Sequence, residues 1–292
     1  MTVEARLKPE SGQILMPSRQ TGRLLVEGAE IYYEVSGQGP AIVFAHGLGG
    51  NHMSWWQQVG HFRSTHTCVT FAHRGFTPSK VEEGSHPDPT RYADDLAALI
   101  DHLGLDQFHL VGQSMGGWTV IEYSLRWPHR VRSLVLSATV GSIDLEHLST
   151  LESGAIASWL KASEKTVAQC LEARVHPAAG LRMAQEQPAM HLLYQHIDES
   201  ARGLDKEVLK SRLRAMRVRA PSDLAATGIP VLLVSPDEDI VIPPSALRAL
   251  AQELEGSRLA ELPETGHSPY FERASKFNSC LLDFFQSINR QP

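Results

Sequence analysis

The stretch 108–127 constrains this chain more than any other: an apolar run, FHLVGQ, leads to one serine and then to MGGWTVIEYSLRW. Phe108, Leu110 and Val111 have the character of a buried strand, whereas Val120, Ile121, Ser124 and Leu125 recur at helical spacing. Ser114 therefore falls at the bend between a strand and a helix, inside Gly112-Gln113-Ser114-Met115-Gly116. A serine on so tight a turn brings the positions two before and two after it together, where little but glycine fits. Gly117 gives the helix room to approach the sheet. The same turn exposes the hydroxyl and aims the first helical N–H groups at charge developing beside it. A Gly-x-Ser-x-Gly pattern can arise by chance among 22 glycines, and the strand before and helix after are what give this one weight.

Similar alternation runs through most of the chain. A strand pair is expected over 24–35 about a turn at Gly28-Ala29, with further strands at 41–45, 67–72, 131–137, 229–234 and 258–262. Helical spacing appears over 52–62, 88–103, 245–255 and 270–288. Strands that alternate with helices imply βαβ units and a mainly parallel sheet. Between 142 and 220 no strand-like run occurs, and helices are expected over 150–175, 188–199 and 204–218. That segment reads as an all-helical insertion dividing a core of residues 23–141 and 221–292. Residues 1–22, polar and without periodicity, read as a loosely held extension.

Composition excludes several classes. The chain has 292 residues, 42% of them apolar, enough for one large core or two small ones. A net charge of −6 without a long basic run gives no support to a nucleic-acid partner. No apolar leader and no run of eighteen apolar residues is present, so a soluble, cytoplasmic protein without a membrane partner is expected. Cys68, Cys170 and Cys280 are too scattered for a disulfide framework or a zinc knuckle and read as small buried hydrophobes. The glycine-rich loop His46-Gly47-Leu48-Gly49-Gly50 lacks the Gly-Lys-Ser/Thr or Gly-x-Gly-x-x-Gly of a nucleotide site. No metal or cofactor is expected, and oligomeric state is not legible here.

A nucleophilic serine needs a base within hydrogen-bond reach. Among 14 histidines, His267 in Gly266-His267-Ser268-Pro269 is best placed, because it follows the last strand, and loops at the carboxyl ends of parallel strands converge on one edge. His46 and His73 also stand at strand ends and are its rivals. A third group must orient the imidazole, and the loop after IPVLLV offers Asp237, Glu238 and Asp239. Backbone N–H groups of Leu48 and Met115 are candidate donors to an oxyanion. Trp55, Trp56 and Trp118 flank these motifs and suggest contacts to an apolar or aromatic small-molecule substrate, although tryptophans also serve simply to pack helix against sheet. Arg202, Lys206, Lys210, Arg212, Arg214, Arg217 and Arg219 make the helical segment locally basic; wrapped around a helix, they read as a solvated face.

Taken together, His46-Gly47-Leu48-Gly49-Gly50, His73-Arg74-Gly75, Gly112-Gln113-Ser114-Met115-Gly116-Gly117, Asp239 with Pro243 and Gly266-His267 resemble the α/β-hydrolase fold family over residues 24–288, apart from the helical segment. The order serine, acid, histidine is also that family's. The resemblance implies a mostly parallel eight-stranded sheet flanked by helices, with a helical cap at 142–220 inserted after the sixth strand. It also selects Asp239, since the family's acid commonly stands four residues before a proline. Ala72, where the family often has aspartate, and Thr77, where it often has glycine, are departures beside the site. The implied activity is serine hydrolysis of a carboxylic ester or lactone through an acyl-enzyme on Ser114. Hydrolysis of a carbon–carbon bond in a vinylogous diketone is a second expectation, and a ligand receptor or cofactor-free oxygenase on the same fold is a third.

Overall fold

The computed structural model describes residues 18–289. Its sheet is built from β1 (Arg19–Val26), β2 (Ala29–Ser36), β3 (Ala41–Ala45), β4 (Thr67–Phe71), the two-residue β5 (Lys80–Val81), β6 (Phe108–Gln113), β7 (Val131–Ser137), β8 (Val231–Pro236) and β9 (Arg258–Leu262). Eight of these lie side by side in the order β1-β2-β4-β3-β6-β7-β8-β9, and β5 pairs only with β2. Pairings involving β2 are antiparallel, and all those from β4 through β9 are parallel.

The short apolar runs at the centre are buried on both faces because a strand sends alternate side chains to opposite sides. Val43, Leu110, Leu134, Leu136 and Leu233 join one core, packed against α2 (Tyr92–His102), α3 (Gly116–Arg126) and α9 (Pro244–Glu253). Ile42, Phe44, Val111, Val135, Leu232 and Val234 join the other, against α1 (Trp56–Phe62) and α11 (Ala274–Asn289). Two layers of helices thus clamp the central strands, and the loops at their carboxyl ends are left to meet at one edge.

Between β7 and β8 the chain runs through α4 (Ala155–Glu172), α5 (Gly180–Glu186), α6 (Pro188–Glu199), α7 (Lys206–Ala215) and α8 (Pro221–Ala225). Its two ends are fastened together: Val218 and Arg219 donate N–H bonds to the Ser142 carbonyl at 3.1 and 3.0 Å, and Asp144 donates to that of Arg219 at 2.9 Å.

Several sequence expectations need correction. Residues 19–22, assigned to the extension, belong to β1: they pair with β2 from Arg19↔Ser36 inward, and Arg19 donates to Glu34 at 2.6 and 2.9 Å. That edge is largely exposed, so no apolar alternation marks it. Positions 1–17 of the proposed extension lie outside the described residues. The short helices α5 and α8, seven and five residues long, escaped the periodicity argument because two turns or fewer show no clear repeat. The closing helix is two pieces, α10 (Pro269–Glu272) and α11, divided at Arg273, whose φ of −130° is not helical. Cys68 and Cys170 are buried, but Cys280 is only half-buried. No helix among the described residues is long and apolar enough to cross a membrane.

Candidate active site

Ser114 takes a φ of +50°, a left-handed conformation uncommon outside glycine. The turn is held by hydrogen bonds from Ser114 N–H to the Ser137 carbonyl at 3.1 Å and from Gly117 N–H to the Ser114 carbonyl at 2.9 Å. Thr139 Oγ1 donates to that same carbonyl at 2.8 Å. The glycines are required by contact. A Cβ on Gly112 would stand 2.8 Å from the Gly116 carbonyl oxygen, and one on Gly116 would stand 2.2 Å from that of Ala45. A Cβ on Gly117 would meet Thr139 Oγ1 at 2.3 Å. The strained turn and the close packing of α3 on β3 and β7 are therefore one geometric fact.

His267 Nδ1 and Asp239 Oδ2 are 2.9 Å apart, and both residues are buried. With the imidazole neutral and Nδ1 protonated, that contact leaves Nε2 as an acceptor. The other carboxylate oxygen of Asp239 accepts the N–H groups of Val241 and Ile242 at 2.7 and 2.9 Å, so its plane is fixed by its own loop. Asp237 and Glu238 are turned elsewhere: Asp237 Oδ1 accepts from Thr265 N–H at 3.3 Å, and Glu238 pairs with Arg182 at 2.5 and 2.9 Å.

The histidine loop is tied to the serine turn through Gln113, whose Nε2 donates to the His267 carbonyl at 3.0 Å. Glu272, which no sequence argument singled out, reaches back from α10 and accepts the N–H groups of Gly266 and Ser268 at 2.8 and 3.0 Å, one on each side of His267. Burial raises its carboxyl to about 7, helped by the Asp239 charge and opposed by those two N–H bonds. The only hint in the sequence was a glutamate five residues after the histidine.

The rival histidines are engaged in each other. His46 Nδ1 lies 2.8 Å from the Gly47 carbonyl, and its Nε2 accepts the His73 backbone N–H at 3.0 Å. The same Nε2 lies 2.9 Å from His73 Nδ1, while His73 Nε2 is 2.9 Å from Thr119 Oγ1. One neutral pattern satisfies every contact: His46 protonated at Nδ1, His73 protonated at Nδ1, and Thr119 donating to His73. Burial holds both rings uncharged, pushing His46 down to about 3 and His73 well below its usual range. Neither has a ring nitrogen left for Ser114. Their effect is to pin the Gly47 carbonyl, and with it the peptide that carries the Leu48 N–H.

Leu48 and Met115 pack in one apolar cluster with Trp118, Phe76, Tyr92, Leu204, Leu209, Leu213 and Met216, which joins the serine turn to α7. A Cβ on Gly47 would lie 3.1 Å from that of Ser114, which sets the glycine-rich loop directly beside the serine. Of the three tryptophans expected at the substrate, only Trp118 lies here. Trp55 is fully buried in the core against Phe44, Tyr270 and Phe277, so it packs helix against sheet. Trp56 is 45% exposed and lines a separate cavity of about 400 Å³ with Tyr32 and His52. A larger cavity of about 770 Å³ lies between α4, α5 and the acid loop, with Trp159, Asp239, Gly266 and Glu272 in its wall. Neither Ser114 nor His267 lines it, so it adjoins the acid side of the arrangement. Among the described residues no group of three or more histidine, cysteine, aspartate or glutamate side chains is gathered as a metal-ligand set.

A doubly clamped, mostly parallel sheet with a serine on a strained turn after a central strand, and a histidine–aspartate pair in the loops of its last strands, defines a class. Residues 40–274 match the family model described as alpha/beta hydrolase fold, and the chain belongs to that family. It is 30% identical over 264 residues to the Mycobacterium tuberculosis protein named "Putative non-heme bromoperoxidase BpoC", covering 88% of this chain and 97% of that one. It is also 26% identical over 267 residues to "Putative carbamate hydrolase RutD" of Agrobacterium fabrum, covering 87% and 96%. A solved structure titled "Est816 as an N-Acyl homoserine lactone degrading enzyme" superposes with a TM-score of 0.71 at 24% identity, covering 90% of this chain and all of that one.

Proposed function

We propose that this protein is a serine hydrolase that cleaves a carboxylic ester or lactone of a small-molecule substrate through an acyl-enzyme on Ser114. The observation that carries the reading is the buried His267–Asp239 contact at 2.9 Å, joined to the serine turn through Gln113, the residue next to Ser114. In the proposed cycle Ser114 Oγ attacks the carbonyl carbon as His267 Nε2 takes its proton, and Asp239 stabilises the imidazolium. The N–H groups of Leu48 and Met115 receive the oxyanion, two donors worth about 3 kcal/mol each in the transition state. His267 returns the proton to the leaving group, then draws one from water as water attacks the acyl carbon, and passes it to Ser114 Oγ as the acyl–Oγ bond breaks and the acid departs.

The apolar cluster around Leu48, Met115 and Trp118 suits an apolar portion of the substrate, and the helical segment 142–220 would serve as a cap over it. Names of relatives, carbamate hydrolase and lactone-degrading enzyme among them, are consistent with attack on an acyl carbon. A panel of aryl esters, lactones and dienoic diketones tests the reading: ester or lactone turnover is expected in wild type and lost in Ser114→Ala. Turnover confined to the diketones would transfer the reaction to carbon–carbon cleavage. Undiminished ester hydrolysis by a folded Ser114→Ala variant would remove the serine from the mechanism.

A further inference from the structure

The basic stretch of the helical segment was expected to face solvent, and for most of it that holds. Arg202, Arg212 and Arg214 are exposed, Lys206 pairs with Asp198 at 2.5 Å and Lys210 with Glu207 at 2.7 Å. Arg217 and Arg219 instead turn toward α3, where they meet side chains one helical turn apart. Arg219 finds a carboxylate, donating to Glu122 at 2.7 and 2.9 Å. Arg217 finds a ring: its guanidinium carbon lies 5.1 Å from the centroid of Trp118.

Among the described residues Arg217 has no ion pair, and its Nε is sealed from solvent without an acceptor. The Trp118 indole N–H beneath it is likewise buried without an acceptor, as is the Tyr92 hydroxyl in the same cluster. A ring face offsets only part of what a cation loses on leaving water. Burial lowers the guanidinium's affinity for its proton, the Arg214 charge adds to this, and only the charge of Asp144 opposes it. The half-buried Arg217, whose Nε lacks an acceptor, and the Trp118 indole N–H, which also lacks one, lie together against one apolar cluster and form half of an anion site. The cluster is the one that holds Leu48 and Met115, and Trp118 lies in the first turn of α3, which begins two residues after Ser114.

We propose that Arg217 recognises a carboxylate on the substrate, so that the preferred substrate of the Ser114 site is an anionic acyl compound and not a neutral one. The carboxylate would accept from the guanidinium while the apolar part of the molecule lies along Trp118, Met115 and Leu48. This proposal rests on the hydrolase reading for the word substrate, but the anion preference is a property of equilibrium binding and is read independently of turnover.

The test is calorimetric titration of the protein with 4-phenylbutyrate and with its neutral amide, 4-phenylbutanamide. Wild type is expected to bind the carboxylate at least about tenfold more tightly. Arg217→Met should bring the two ligands within about twofold of each other, and Arg217→Lys should retain part of the difference. Arg214→Met removes the same net charge from an exposed neighbour and should leave the preference intact. Equal affinity of wild type for both ligands, no carboxylate binding at millimolar concentration, or equal loss in Arg217→Met and Arg214→Met would each overturn the proposal. Should Arg217→Met fail to fold, Arg217→Lys and Arg217→Gln supply the comparison: a preference unchanged in Arg217→Gln counts against it. Failure of Ser114 to react with an acyl-directed probe would instead strike the hydrolase reading and leave the anion site standing.

Discussion

Gln113 Nε2 donates to the main-chain carbonyl of His267 at 3.0 Å, so that two loops 154 residues apart in sequence are joined by the side chain next to Ser114. A Cβ on Gly47 would lie 2.2 Å from the Gln113 Oε1, so the same amide also abuts the glycine-rich loop. Gln113→Leu keeps the shape and removes the donor. It should lower kcat by about 100-fold, the cost expected of a misplacement near 1 Å, and leave a cooperative unfolding transition. Steady-state kinetics beside chemical unfolding checks this; unchanged kcat would show that the bond does not position the imidazole.

Asp239 and Asp237 stand two residues apart and make different contacts. Asp239→Asn retains the volume but reverses the hydrogen-bond sense toward His267 Nδ1, favouring the wrong tautomer. A fall in kcat of about 10⁴-fold is expected. Asp237→Asn, at a side chain that accepts from Thr265 N–H and does not contact His267 among the described residues, should cost less than about tenfold. Kinetics of the two purified variants decide the matter, and the reverse ranking would move the acid.

Glu272 ties stability to pH with a defined sign. Its folded carboxyl is raised from 4.5 to about 7, so between those values the native state holds a proton that the unfolded state has released. Its contribution is greatest below about pH 4.5 and falls as pH rises through 7, by about 3 kcal/mol in all. Glu272→Gln cannot titrate. The unfolding free energy of wild type minus that of Glu272→Gln should therefore decline from pH 5 to pH 8, as read from urea transitions at each pH. A difference that does not vary with pH would contradict it.

Gly116 admits no side chain, because the atom its Cβ would meet at 2.2 Å is a main-chain oxygen of β3 that cannot rotate away. Gly116→Ala is expected to destabilise by about 1–3 kcal/mol and to displace Met115 with it. Thermal unfolding reads the first effect and kcat the second; a variant as stable and as active as wild type would mean that α3 can slide on the sheet.

Much of this was legible in the sequence because its cause was local. The Gly112-Gln113-Ser114-Met115-Gly116 turn is a steric requirement, and the central strands announce themselves as apolar runs. What escaped was set by partners distant in sequence. β1 begins at Arg19 because β2 offers it a register, not because its own residues alternate. Nothing in the sequence singles out Glu272, because its carboxylate finds the N–H groups on either side of His267 only once α10 has folded back against that loop. Trp55 and Trp118 follow equally suggestive motifs, yet Trp55 is pinned in the core by Phe44, Tyr270 and Phe277, and Trp118 lies beside Met115. Arg217 was indistinguishable from its exposed neighbours in a basic helix, since its inward turn depends on where Trp118 stands.

The most direct test of the central claim, that Ser114 is a nucleophile activated by His267 and Asp239, is reaction with an aryl fluorophosphonate followed by intact mass measurement and peptide mapping. One adduct per chain is expected, on the peptide containing Ser114, absent in Ser114→Ala and slowed by orders of magnitude in His267→Ala. An adduct on a peptide lacking Ser114, or equal labelling of the wild type and Ser114→Ala, would contradict it.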